Sequence, residues 1–480
     1  MRIIYQVGRM DYRTDLQQFV VRDFEGKNYK FEAKYELSSF ALREFLKSQG
    51  IDSKVVLIYP VSIVLNEGLG NANFDEDLKN ELREIFKNPS SYLKNPNDFI
   101  ERIPLEKARD EKIIIHSLGT YLKENPIELD SSYDDIVLEI LLDMIKRYLK
   151  GTVDIFYIDI SSGHNIYISA MIEASRHFVV FTRLRHWIHK ERIPKVYLVF
   201  SDPILGSAAT SFDIHIQPQI YKAFFSSPIT REDVISKNFS FLKNIYEEIN
   251  NNGKGNLVDL QKQQVQLVRQ NRKSLREKLE MFVYIFSAIK NNIPLYIYYL
   301  PYHTISDIEE ELEKLINYAE SKLNQGYLNS PKLDKGAYLK AILSLGFYMG
   351  LVDVLKVFGV TSFDQDTGLD LKVLKEGFEK IYEIFTLPMN NVMLGNEISN
   401  DSEKIEKWIL EKGSFNYWEK LLKILYPEKQ LSSCDERNYF AHSGFEGNVT
   451  DVRFDGKNIF VRYTEDIKFE TINNWLKSRV

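Results

Sequence analysis

Over its first two hundred residues the chain alternates short apolar runs with amphipathic stretches, and few architectures can accommodate that alternation. Arg2–Val7 and residues 54–59, 112–116, 153–160 and 195–201 read as strands, the second of them stopped by Pro60. Residues 38–47, 75–87, 133–149 and 165–187 read as helices. Phe40, Leu42 and Phe45 mark the apolar side of the first, and Ile136, Ile140, Leu141 and Met144 that of the third. Strands that are apolar throughout and separated by helices predict a parallel sheet covered on both faces. The expected fold is a Rossmann-like, doubly wound α/β sheet of about five or six strands.

The pattern changes after Pro203. Residues 208–228 look irregular, 231–250 helical, and Asn250-Asn251-Asn252-Gly253-Lys254-Gly255-Asn256 is a polar break suited to a linker. Helical periodicity then dominates over 259–291, 306–323, 335–358, 371–385 and 402–425. The tail returns to β structure, with residues 449–454 and 459–463 flanking Asp455-Gly456, a two-residue hairpin signal, before a helix near 470–477. The division expected is an α/β domain over 1–210, a partly helical linker over 211–258, and a mainly α domain with a small β hairpin over 259–480.

Chemistry concentrates in Asp435-Glu436-Arg437-Asn438-Tyr439-Phe440-Ala441-His442. An Arg stabilises an anionic phosphorane and a His moves protons near neutral pH, so Arg437, Asn438 and His442 form a minimal set for cutting RNA without a metal. Ser433-Cys434-Asp435-Glu436 reads as a capping box and Gly444 as a stop, predicting a short helix over 434–443. Asn438 and His442, four apart, would share one face, with Arg437 about 140° from His442 around the axis. The competing reading is a plain surface helix with a paired Arg and a packed His. Cys434 beside His442 reads as a small hydrophobe rather than a nucleophile.

A second polar segment, Asp159-Ile160-Ser161-Ser162-Gly163-His164-Asn165, leaves a strand and opens a helix. Its hydroxyls, its glycine and the free amides of the helix start suit a nucleotide phosphate, although a ligand-free turn has the same composition. Gly8-Arg9 and His116-Ser117-Leu118-Gly119-Thr120 would reach the same sheet edge if the strands are parallel. Neither a Gly-x-Gly-x-x-Gly fingerprint nor a Gly-Lys-Ser/Thr loop occurs, which argues against a dinucleotide enzyme and an ATPase.

Other basic clusters are less pointed. His177, His186 and His189, with Arg176, Arg183 and Arg185, lack a two-His-plus-carboxylate spacing and read as a solvated or dimer-forming face rather than a zinc site. Lys262, Arg269, Arg272, Lys273, Arg276 and Lys278 make one helix basic, either as a solvated face or as an RNA-guiding surface. A net charge of −6 over 480 residues speaks against a general nucleic-acid coat. The single Cys excludes an intrachain disulfide and a multi-Cys zinc site and fits a reducing compartment. With no signal-peptide pattern and no apolar run of spanning length recognised, the expected location is the cytoplasm.

Taken together, the Asp159–Asn165 segment in an α/β domain and Arg437-Asn438-x3-His442 in a helical domain resemble the CARF–HEPN ancillary ribonucleases of type III CRISPR systems. The likeness covers essentially the whole chain in domain order and length. It implies CARF domains pairing around a cyclic oligoadenylate, tetra-adenylate in preference to hexa-adenylate, with Ser161, Ser162, Gly163, His164 and Asn165 lining the pocket and Gly8 and Arg9 nearby. HEPN domains would likewise pair to form a composite site in which Arg437, Asn438 and His442 are catalytic. The implied protein is a homodimer or higher assembly, an endoribonuclease acting on single-stranded RNA. It would need no metal and no cofactor, and would leave 2′,3′-cyclic phosphate and 5′-OH ends. A non-enzymatic nucleotide sensor that binds a nucleic acid or protein partner is the alternative.

Overall fold

A computed structural model describes residues 1–10, 16–71, 74–102, 110–203, 208–247, 259–413 and 416–480. The polar 250–256 segment, where the sequence suggests a linker, lies outside the described residues. The chain divides into two compact units. One comprises Met1–Arg183, Glu191–Lys222 and Glu313–Tyr338; the other comprises Leu184–Lys190, Ala223–Leu312 and Leu339–Val480.

The first unit is built on strands β1 (Arg2–Val7), β2 (Gln17–Phe24), β3 (Lys27–Tyr35), β4 (Ser53–Pro60), β5 (Glu111–Ile115), β6 (Leu118–Tyr121), β7 (Ile127–Asp130), β8 (Ile155–Asp159), β9 (Lys195–Ser201) and β10 (Phe212–Pro218). Eight of them form one sheet in the order β3-β2-β10-β9-β8-β1-β4-β5, and β6-β7 is a separate ribbon. The five strands expected from sequence form its parallel section, running from β9 to the edge strand β5, with β1 between β4 and β8. The apolar runs of β1, β4 and β8 are buried, as Ile3, Ile4, Tyr5, Val55, Val56, Ile58, Phe156 and Ile158 show, while β5 and β9 are largely half-buried. Such strands exclude water because helices cover both faces.

Three strands of this sheet are not anticipated by sequence, nor is the β6–β7 ribbon, so the sheet exceeds the five or six expected. Phe212–Pro218, within the stretch read as irregular, runs antiparallel to β9. The β2–β3 hairpin turns at Glu25 and Gly26, both at positive φ (50° and 75°), the geometry that matches strand twist. The alternating Tyr29-Lys30-Phe31-Glu32-Ala33-Lys34-Tyr35 was its legible signal, and its charged side chains suit an outer strand. Residues of Glu313–Tyr338, from the stretch assigned by sequence to the helical domain, pack in this unit. Leu333 N donates to Asp135 Oδ1 (2.8 Å) and Tyr327 N to Leu93 O (3.0 Å).

The second unit is mainly helical, with Asp259–Lys290, Leu371–Ile384 and Pro388–Lys412 its longest segments besides parts of Ile305–Leu323 and Lys335–Val357. Lys335–Val357 is long and apolar enough to cross a membrane, contrary to the sequence reading, but 78% of its most apolar window is buried. An all-apolar helix packed this way is a core helix. Phe347 on it meets Phe225, Phe286 and Trp187 with ring centroids 5.5–5.8 Å apart. A Cβ at Gly350 would lie 2.1 Å from Leu184 O, so only glycine permits this approach.

Three local expectations change here. Residues 231–250 are not one helix. Asn238 and Phe239 take positive φ (44° and 57°) and separate a turn at Glu232–Ser236 from Leu242–Ile245. The helix placed at 402–425 begins at Pro388 and ends at Lys412, where Gly413 turns at φ 84°. A small sheet, β11 (Leu369–Asp370), β12 (Glu419–Lys420), β13 (Thr450–Phe454) and β14 (Ile459–Tyr463), has the order β11-β14-β13-β12. The β13–β14 loop spans four residues rather than two, because Phe454 pairs with Ile459 and Asp455 Oδ1 accepts from the Lys457 and Asn458 amides.

Candidate functional site

The Arg437 segment is a six-residue helix, Glu436–Ala441. Asp435 rather than Ser433 caps it, since its carboxylate accepts from Asn438 N at 2.9 Å and Asn438 Nδ2 at 2.7 Å. An Asp placed there reaches the third helical amide and adds negative charge at the positive helix end. Ser443 (φ 52°) and Gly444 (φ 79°) end the helix in the left-handed region, and Gly444 N donates to Tyr439 O at 2.9 Å. Tyr439, fully buried, shares a 2.7 Å hydroxyl contact with Tyr463 of β14. The hairpin thus anchors the motif helix.

This anchoring leaves the polar side chains outward. Arg437 is exposed and makes no hydrogen bond or ion pair among the described residues. Asn438 is also exposed, its amide directed back to Asp435 rather than toward His442. Half-exposed His442 places Nδ1 2.8 Å from Glu397 Oε1, on the helix Pro388–Lys412. That hydrogen bond pushes the His442 pKa above the usual histidine value, the carboxylates of Glu397, Asp401 and Glu446 adding to it and partial burial opposing. Asp401, one turn beyond Glu397, sits among Leu371, Ile398, Ile405, Leu421, Phe445 and Val461. Burial foremost, then the Glu397 charge, pushes its pKa up to about 7. Burial, with Glu446 beside it, pushes the Cys434 thiol up to about 12, which denies it thiolate character near neutral pH.

In the other unit, strand order reverses direction at β1. After the β2–β3 hairpin the chain places β4 and β5 on one side of β1, then β8 and β9 on the other. Gly8-Arg9 and Ser161–His164 follow the carboxyl ends of β1 and β8 at this switch, where α/β sheets open a crevice. A Cβ on Gly163 (φ 126°) would lie 2.6 Å from Val7 Cβ, and one on Gly8 would lie 2.5 Å from the Tyr59 ring. Both glycines therefore permit close backbone approach.

A buried polar relay supports this loop. Gln6 Nε2 donates to Ser162 Oγ and Ser38 Oγ, both at 3.0 Å. Ser38 Oγ donates to Asp159 Oδ2 (2.7 Å), and Asp159 Oδ1 accepts from Ser161 N (2.9 Å). Ser161 Oγ accepts from Ser201 N at 2.8 Å. Burial pushes the Asp159 pKa up to about 6 against these hydrogen bonds. Arg9, Gly163, His164 and Asn165 are exposed above the relay. Thus Ser161 and Ser162 brace the loop, while the other side chains face outward.

Some sequence candidates are used otherwise. His116 is wholly buried, with Nδ1 2.6 Å from Glu139 Oε1 and Nε2 3.1 Å from Gly326 O, so it turns inward from the loop edge. His177 pairs with Glu173 (3.5 Å) and His189 with Asp353 (3.8 Å). No group of three or more metal-ligating side chains occurs among the described residues. Of the basic helix residues, Arg272 donates to Tyr246 O and Arg276 to Asn238 O, tying down the neighbouring turn segment. The sequence reading missed Glu397, Asp401, Gln6 and Ser38. Gln6, polar within an apolar strand, carried a visible signal; Glu397 carried none that linked it to a residue 45 positions away.

Two family models match the chain. Residues 3–203 match the model described as the CARF domain of the CRISPR system endoribonuclease Csx1. Residues 387–465 match the HEPN domain of the same endoribonuclease. A search of curated proteins found no significant match. These two matches define a CRISPR-associated protein with a nucleotide-sensing domain and a ribonuclease-family domain. The chain belongs to the CARF–HEPN ribonuclease family: the two matched spans together cover more than half of it and contain both motifs.

Proposed function

We propose that this protein is a metal-independent endoribonuclease of CRISPR defence in the cytoplasm, specific for single-stranded RNA and activated by a cyclic oligoadenylate, tetra-adenylate first. The observation that carries this reading is the outward Arg437, without a partner among the described residues, on the same short helix as a half-exposed His442 held toward its cationic form. In the reaction the ribose 2′-oxygen bonds phosphorus and the P–O5′ bond breaks. The products are a 2′,3′-cyclic phosphate and a 5′-OH. Arg437 stabilises the phosphorane, Asn438 orients the scissile group after leaving Asp435, and His442 moves the proton.

The active form is a homodimer or larger. Met389 and Val392, 66% and 55% exposed, with Met393 make an apolar stripe on the helix that carries Glu397, which supports pairing through this face. Cyclic oligoadenylate sits at the paired CARF domains, touching Gly8, Arg9, Ser161, Ser162, Gly163, His164 and Asn165. Its binding favours the dimer arrangement that completes the nuclease site.

Cleavage of labelled single-stranded RNA in EDTA, with and without cyclic tetra-adenylate, tests the reading. Stimulated cutting that His442→Ala abolishes supports it. No cutting with either tetra- or hexa-adenylate rejects it in favour of a non-enzymatic sensor.

A further inference from the structure

We propose that Glu397 is a positioning residue for His442: its Oε1, 2.8 Å from Nδ1, keeps the proton on Nδ1 and presents Nε2 to the RNA as the general acid. The inference rests on the ribonuclease reading and assigns a direction to proton transfer within it. A neutral imidazole has one donor and one acceptor nitrogen, and a carboxylate at Nδ1 accepts only from N–H. Nδ1 is therefore the committed nitrogen and Nε2 the one left for substrate. When the 2′-oxygen bonds phosphorus, its proton passes to solvent water. As P–O5′ breaks, Nε2–H protonates the departing 5′-oxygen.

The geometry around the pair supports this polarity. Glu397 has a side chain only 19% exposed, against 49% for His442, so the carboxylate is the fixed partner. Asp401 stands behind it on the same helix, 8% exposed and walled by apolar side chains. The other charged groups bearing on this cluster are Glu446, beyond the motif helix, and Lys404, beside Asp401. Glu446 is occupied with Asn448, and Lys404 lies over the Tyr426 ring at 4.8 Å. The carboxylates of Glu397 and Glu446 therefore favour the imidazolium form of His442, the form a general acid requires.

The test uses full-length protein labelled with 15N-histidine, following His442 by NMR through a pH titration, with rates of activated RNA cleavage measured in parallel. Wild type, Glu397→Gln and the charge-retaining Glu397→Asp are compared after circular dichroism confirms folding. In the wild type, neutral His442 is expected as the Nδ1–H tautomer. In Glu397→Gln it shifts to Nε2–H, the imidazolium loses its proton at roughly tenfold higher proton concentration, and the alkaline limb of kcat moves down by the same factor with KM unchanged. Glu397→Asp keeps the limb near its wild-type position. Identical His442 titrations in wild type and Glu397→Gln would overturn the proposal whether or not RNA is cut. A wild type that cuts no RNA brings down the ribonuclease reading alone, because the NMR comparison still decides the pairing.

Discussion

Tyr439 and Tyr463 meet hydroxyl to hydroxyl at 2.7 Å, 24 residues apart and both buried, and this contact joins the motif helix to the hairpin behind it. Burial raises both phenol pKa values far above normal, so the pair stays neutral and one hydroxyl donates to the other. Removing one partner strands the other in the interior, at a cost of about 1–3 kcal/mol. Tyr463→Phe should lower stability by this amount, and adding Tyr439→Phe should recover part of it. Chemical denaturation of the two single variants and the double variant checks the prediction; simple additivity would refute the coupling.

Arg437 is exposed and without a hydrogen-bond or ion-pair partner among the described residues. Arg437→Ala should leave the melting temperature within about 1 °C, consistent with a surface change. Activated RNA cleavage should fall by about 10²–10³, the scale of losing one oxyanion-stabilising group. A parallel loss of stability and rate would point instead to a structural arginine.

Gly163 at φ 126° leaves no space for a Cβ beside Val7. Gly163→Ala should therefore displace the loop and weaken cyclic tetra-adenylate binding at least tenfold, measured by calorimetry. Gly151→Ala is the control, since Gly151 also has positive φ (70°) but open space around it. That variant should carry only the backbone cost of about 1–2 kcal/mol and bind ligand normally.

Asp159 supplies a pH signature. Its pKa near 6 in the folded chain lies above the unfolded value, so the folded state binds more protons between about pH 4 and pH 6. Its contribution to stability is present below pH 4 and is withdrawn as pH rises through 6, by about 2–3 kcal/mol in total. Asp401 has the same sign at about 7, so the wild-type curve combines both. Asp159→Asn should flatten the change between pH 4 and pH 6. An unaltered pH dependence in thermal melts would show that Asp159 ionises freely.

With its pKa pushed up to about 12, Cys434 remains a thiol, so Cys434→Ser should cleave RNA within about twofold of wild type. A large loss would restore the nucleophile reading.

Local chemistry determined much of this protein. Continuous apolar runs specified the parallel section of the sheet, because only strands covered on both faces tolerate them. Tyr133–Leu149, Lys195–Ser201 and Ile459–Tyr463 fall where periodicity alone places them. Arg437, Asn438 and His442 could be singled out because their functional groups are unusual in such proximity along the chain. Tertiary structure decided the rest. It selected Asp435 over Ser433 as the cap, by where the backbone turns, and it drew His116 inward onto Glu139. It also placed Glu397 on His442 across 45 residues and gathered Gln6, Ser38 and Asp159 beneath one loop. Periodicity encodes which face of an element is buried. Which charged side chain meets which depends on packing between distant elements, and no local pattern carries that distance.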